Sequence, residues 1–439
     1  MKHNRREWFK SGLLAALSVL TVLLLAVAWS YNLQGDSADG WLDRVLLALG
    51  IGGAGDSVER SLPTAALPVT IAAREEGALY SVSYGGQVAT VYERAAEHMG
   101  QALSAAGAWS QVEEEEALAA LEGGRLLLFS YEGAVPLSLI AGWMDAPQVT
   151  EEEPVSALLL LDREDGSRLL LRSAEDGAWY GADSTATMES LAALLAGNLM
   201  VESEFAAGYA LDSVAAESAL GGGVLSLVTL QAQAPVFTGE GTDDLQQLLT
   251  AFSYNPYAVR DYSEDQGASR VFVSTYSTLE IGQDGRVFFE STDLRGAISA
   301  GGDDGESETQ RYNRCSELAV QVLQQALESI DGEGFALTQV RQQDNLLVLD
   351  FERRQDNVTL KRADGQPMAR FEFQDGALVR ATLCLEKLSA GGQSHALLPA
   401  LQAAATAPLE GGPYRLALRY EQEEGGAYQP KWVLLPVSE

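Results

Sequence analysis

The sequence predicts an α+β fold: a single N-terminal transmembrane helix followed by an extracytoplasmic multi-domain region of antiparallel sheets with packed helices. Three observations predict it. Apolar runs of four to eight residues recur along the chain and are punctuated by Asp-Gly turns, as at 165–166, 284–285 and 375–376. Between them lie stretches whose apolar residues recur at helical spacing, at 89–105, 243–252 and 307–330. Ahead of all this stands a basic tip followed by a long uncharged run.

That tip carries Lys2, Arg5, Arg6 and Lys10, and residues 11–31 after it hold no charge. At about 1.5 Å rise per residue, 21 helical residues reach roughly 31 Å, enough to cross the hydrocarbon core. Trp8 and Phe9 flank one end of the run, Trp29 and Tyr31 the other, in the manner of interfacial aromatics. Asp36, Asp39 and Asp43 follow, so positive charge stays inside and the bulk of the chain lies outside the cytoplasm. A cleaved signal peptide is the rival reading, because Ala26-Val27-Ala28 has the form of a cleavage site. Both readings export the same region.

Charge excludes one class of partner. The chain carries 62 acidic residues against 29 basic ones, a formal net charge of −33, and its lysines are Lys2, Lys10, Lys361, Lys387 and Lys431. No basic patch can be drawn from that supply, so nucleic acid is not an expected partner. At 46% hydrophobic residues the composition is globular rather than disordered. Cys315 and Cys384 are too few for a disulfide scaffold; they either pair or stand as two buried thiols.

Six segments follow in order: a cytoplasmic tip at 1–10, the anchor at 11–31, a juxtamembrane helix and linker at 32–66, an N-terminal α+β domain at 67–240, a central α+β region at 241–300 and a C-terminal α+β domain at 307–439. Residues 41–49 read as a short amphipathic helix. The glycine run at 50–55 matches G-x-G-x-x-G literally, but it follows a helix-like run and leads toward Pro63, which makes it a linker rather than a dinucleotide site. Strands are expected at 78–84, 125–131, 155–163, 168–172 and 224–231, with helices at 89–105, 113–121 and 187–199. Acidic residues suit the start of the 113–121 helix, whereas a calcium site there would need looped backbone ligands as well. After a helix at 243–252, strands are expected at 270–273, 278–281 and 287–290. The Gly- and Asp-rich stretch at 296–308 is the expected domain boundary. Beyond it, a helix at 307–330 places Leu318, Val322, Leu323, Ala326 and Ile330 on one face. Strands at 337–341, 346–353, 368–373 and 378–385, a helix at 396–405 and a strand at 414–420 complete the chain.

Chemistry is sparse. The histidines are His3, His98 and His395, and no nucleophile–base pattern, metal-ligand spacing or phosphate loop is present. No catalytic residue, cofactor or metal is expected, and the chain reads as non-enzymatic.

Two stretches carry a resemblance. Phe252-Ser253-Tyr254-Asn255-Pro256-Tyr257, with Tyr262, Val271-Phe272-Val273, Leu279-Glu280-Ile281 and Asp284-Gly285-Arg286-Val287, resembles the central region of YycH-like proteins. Asp350-Phe351, Asp364-Gly365-Gln366-Pro367-Met368, Phe371 and Asp375-Gly376 are similar to the C-terminal domain shared by YycH and YycI, and so are the 397–404 segment and Pro430-Lys431-Trp432. The resemblance implies a membrane-anchored accessory regulator of a two-component system in a Gram-positive bacterium. Its implied partners are a membrane sensor histidine kinase and a paralogous regulator, contacted through the membrane helix and the exported region. Ser11, Ala15 and Ser18 fall on one helix face at i, i+4 and i+7, with Gly12 beside them, a spacing that permits close helix approach. They are the candidate partner-binding residues, although small residues also occur in anchors without a partner. The alternative is a cell-envelope binding or scaffolding ectoprotein without a kinase partner.

Overall fold

A computed structural model describes residues 64–437 except 196–198, 210, 235–242, 265–267, 303–306, 329–333, 409 and 411. The anchor at 11–31 with Ser11, Gly12, Ala15 and Ser18, the 41–49 segment and the glycine run at 50–55 lie outside the described residues. Among the described residues no helix is long and apolar enough to cross a membrane.

A hairpin opens the first sheet: β1 (Thr70–Glu75) and β2 (Ala78–Val82) meet at Glu76-Gly77, with φ of 52° and 86°. Positive φ at both positions is the primed two-residue turn, whose twist matches that of the strands it joins. Next come α1 (Gln87–Ser104), β3 (Ser110–Val112), α2 (Glu114–Glu122), β4 (Leu126–Pro136), α3 (Leu137–Trp143), β5 (Pro154–Arg163), β6 (Gly166–Ser173), β7 (Trp179–Ser184), α4 (Ala192–Leu195), β8 (Val201–Phe205) and β9 (Ala219–Gly221). The strands order as β9-β8-β2-β1-β4-β5-β6-β7-β3, every pair antiparallel. The leucine runs of β4 and β5 are unbroken because both faces are covered. Leu127, Phe129, Leu158 and Leu160 share a core with Val91, Ala95 and Met99 of α1. Leu126, Leu128, Leu159 and Leu161 share another with Ala117 and Leu121 of α2. Neighbouring residues in a strand face opposite ways, so two cores call for apolar residues at every position.

The second sheet takes the rest: β10 (Leu225–Gln233), α5 (Asp243–Ala251), β11 (Arg260–Glu264), β12 (Ser269–Val273), β13 (Ser277–Gly282), β14 (Arg286–Ser291), β15 (Ile298–Ser299), α6 (Glu308–Glu328), β16 (Gly334–Gln343), β17 (Leu346–Gln355), β18 (Val358–Lys361), β19 (Ala369–Gln374), β20 (Ala377–Cys384), β21 (Lys387–Leu397), α7 (Ala400–Ala404), β22 (Tyr414–Gln422) and β23 (Ala427–Pro436). One ribbon runs β11-β12-β13-β14-β20-β19-β17-β16. From β17 the pairing continues through β18, β22 and β23 to β10 and β21, with β18 and β22 parallel. A parallel contact of Gln339 in β16 with Ala134 in β4 joins the two sheets. The architecture is α+β and rich in sheet, with few helices.

Hydrogen bonding crosses both expected internal boundaries. β10 pairs with β21 and β23, while β14 and β15 pair with β20 on the far side of the 296–308 stretch. One buried apolar cluster holds Val91, Phe289, Leu323 and Phe371 together, and Leu62–Glu439 forms one compact unit.

Two expected helices differ. The 187–199 helix contracts to Ala192–Leu195 among the described residues: the Ser190 hydroxyl accepts the Ala192 amide at 3.2 Å and Glu75 accepts the Leu191 amide at 3.1 Å, so a cap sits where an earlier start would need helical backbone. The 396–405 helix begins only at Ala400. Residues up to Leu397 pair with β10, and Pro399 holds its predecessor in extended backbone.

Candidate functional site

The β22–β23 hairpin and the first sheet enclose a cleft of about 120 Å³. Thr70, Ser83, Ser130 and Glu132 line it from the first sheet, and Arg415, Ala417 and Trp432 from the hairpin. Its polar wall is knitted together. Thr70 donates to the Ser83 hydroxyl at 3.1 Å, and the Asn357 amide donates to the carbonyls of Pro68 and Ser83 at 3.2 and 3.3 Å. Val201, which also lines the cleft, is half exposed, and the indole of Trp432 donates to the Leu398 carbonyl at 2.8 Å.

Below the cleft lies a buried charge network. Glu132, with a side chain 3% exposed, pairs with Arg419 and accepts the Thr359 hydroxyl. Arg415 donates to the carbonyls of Tyr131 and Glu132, and Arg354 donates to Leu67 O at 2.6 Å and to Asn357 at 3.0 Å. Lys361 holds Glu352 at 2.6 Å. Burial works against the Glu132 charge, but Arg419, Lys361, the Thr359 hydroxyl and Arg354 prevail and keep its carboxyl below the usual range. For Glu352 burial prevails over Lys361, and the nearby Glu132 adds to it, so that carboxyl titrates high. Burial also brings Arg354 down to about 10 and lowers Arg415. Nearby, Arg172 donates to both Glu217 oxygens at 2.7 Å with both side chains buried, and lies over the Trp179 ring. These groups tie the sheets together: each charge already has an internal partner, which suits a rigid wall rather than proton transfer.

A second surface lies at the 252–257 segment. Phe252 stacks on Phe289 with ring centroids 5.4 Å apart, and the Tyr254 hydroxyl meets Ser277 at 2.9 Å. Both residues are buried, whereas Tyr257 is 86% exposed beside Gln246 and Thr250 of α5 and Gln325 of α6. Two aromatics anchor the segment and the third is displayed.

No family model and no curated protein matches the chain. Among solved structures, the C-terminal domain of Bacillus megaterium YpeB is similar, at 14% identity and a TM-score of 0.28 over 44% of this chain and 87% of that one. That structure is a YpeB domain and not a YycH or YycI protein.

His98 lies on the helix α1 and His395 on β21 of the second sheet, where its Nε2 meets the Thr229 hydroxyl at 2.8 Å. Cys315 and Cys384 are buried and not joined in a disulfide, and burial, with Glu386 nearby, pushes the Cys384 thiol up to about 11. Glu114, Glu115 and Glu116 form the first turn of α2, and Glu116 pairs with Arg168 at 2.7 Å. Among the described residues no group of three or more His, Cys, Asp or Glu side chains could hold a metal ion. Glu132, Arg354, Arg415 and Arg419 were missed by the sequence reading. Their signal was charge inside strands that open on an apolar run: Glu132 in Leu126–Pro136, and Asp350, Glu352, Arg353 and Arg354 in Leu346–Gln355.

Proposed function

We propose that the chain is a non-enzymatic, membrane-anchored accessory regulator of a sensor histidine kinase, acting through contacts of its membrane helix and its extracytoplasmic region. The observation that carries this reading is Tyr257: it ends the motif that resembles YycH-like proteins and stands 86% exposed while Phe252 and Tyr254 of that motif are buried. Solvating a large aromatic ring on a rigid segment forgoes the stability its burial would add. Such residues recur as anchors of protein interfaces. The apolar segment at 11–31, preceded by a basic tip, supports an anchor facing outward. Ser11, Gly12, Ala15 and Ser18 supply its close-packing face.

The test is membrane co-capture of the full chain with a two-helix sensor kinase from the same cell, at equal expression. Tyr257→Ala should weaken capture about thirtyfold if the ring is a hot spot. Replacing residues 11–31 by an unrelated membrane helix should lower it independently. Unchanged capture in both variants would overturn the reading. Retention on purified cell wall without kinase capture would favour an envelope scaffold instead.

A further inference from the structure

β11 closes the second sheet on one side. Among the described residues it pairs with β12 alone, so one row of its backbone N–H and C=O groups faces outward, and all five of its residues are exposed. Sheets normally blunt such an edge with proline, a bulge, a short strand or charged side chains, lysine above all, because it is a template for another strand; the charges of β11 are of both signs and so can also pair. Arg260-Asp261-Tyr262-Ser263-Glu264 contains no proline and no lysine, and its register with β12 is unbroken.

The residue order is self-complementary. Laid antiparallel on a second copy about Tyr262, the strand sets Arg260 opposite Glu264, Asp261 opposite Ser263 and Tyr262 opposite itself. Arg260, Tyr262 and Glu264 share one face, on which Glu280 of β13 also lies through Val271 of β12. The incoming arginine therefore meets an acidic face. Asp261, on the other face, is held by Arg270 at 2.6 Å. Moving the axis to Asp261 would set two carboxylates against each other, whereas the axis at Tyr262 pairs opposite charges twice. Directly opposed charges of unlike sign stabilise a strand pair and like charges oppose it.

We propose that two copies of this chain associate β11 to β11 about a twofold axis at Tyr262, fusing their second sheets into one continuous sheet. The pairing is isologous, so one patch serves both copies and the assembly stops at two. It is independent of the kinase reading.

The experiment uses the full chain in detergent, with mass followed by light scattering against concentration. Arg260→Glu sets two pairs of like charges opposite each other and should raise the dissociation constant about tenfold. Arg260→Glu combined with Glu264→Arg inverts both pairs and should restore the dimer. Circular dichroism confirms that each variant folds. Register is read by mild oxidation: Tyr262→Cys places equivalent Cβ atoms about 5 Å apart, near disulfide range, and should cross-link. Arg260→Cys leaves its equivalents roughly 13 Å apart along the strands, out of reach. A monomer at every concentration, a dimer indifferent to Arg260→Glu, or equal cross-linking of the two cysteine variants would each overturn the proposal.

Discussion

Replacing Glu132 by Gln removes one negative charge from among Arg419, Arg415, Arg354 and Lys361 and leaves Glu352 as the closest acid to Lys361. Breaking a buried ion pair from one side costs about 3–5 kcal/mol, because the remaining cation is left desolvated. The glutamine amide oxygen can still accept from Arg419, so the expected cost is about 3 kcal/mol. Unfolding entropy of about 2.1 cal/mol/K per residue over Leu62–Glu439 turns this into a fall in Tm of about 4 °C. Glu352→Gln is the control. Its carboxyl already titrates high and its Oε2 has no partner, so neutralising it should cost less than neutralising Glu132, although Lys361 loses its 2.6 Å partner. The two differ in pH dependence as well. The folded pKa of Glu132 is depressed, so its contribution is complete above the unfolded value of about 4.3 and is lost as pH falls through the folded value. Glu352 has the opposite sign: its folded pKa is raised, and ionising it costs stability that acidification returns. Urea unfolding of wild type and both variants, at neutral pH and stepwise below about 4.3, measures all of this. Glu132→Gln should be less stable at neutral pH and flatter in acid. A Glu132→Gln protein as stable as wild type, or a Glu352→Gln protein less stable than Glu132→Gln, would refute the reasoning.

Gly133→Ala should cost about 2 kcal/mol in the same assay, because a Cβ there would stand 1.9 Å from the Thr338 carbonyl where β4 meets β16. Cys315 and Cys384 should resist thiol reagents in the native chain and react fully in urea; rapid native labelling of either contradicts their burial. Cleavage within 300–307 should leave two fragments that co-elute in gel filtration, since β14 and β15 before the cut pair with β20 after it. Replacing His98 and His395 together by Gln should leave kinase capture intact, and loss of capture by a normally folded double variant would point to chemistry at these side chains.

Local structure was legible wherever one residue pattern met one environment. Val91, Ala95, Met99 and Leu103 at helical spacing are all buried along α1, and the expected turns at Asp165-Gly166 and Asp375-Gly376 join paired strands. The sequence alone determined these because periodicity and turn chemistry act over a few residues. It equally determined the acidic surface and the scarcity of lysine. Tertiary structure decided what depends on distant partners. β21 reads as loop and helix in sequence but is a strand because β10 lies beside it. The Gly-rich stretch at 296–308 reads as a boundary, yet the strands on either side of it share a ladder, since hydrogen bonds between β14 and β20 span about ninety residues that no local window sees. Glu132 reads as the polar end of an apolar run. Only the fold brings Arg419, nearly three hundred residues away, to its carboxylate, where that guanidinium with Lys361 and Arg354 keeps it charged against the cost of burial.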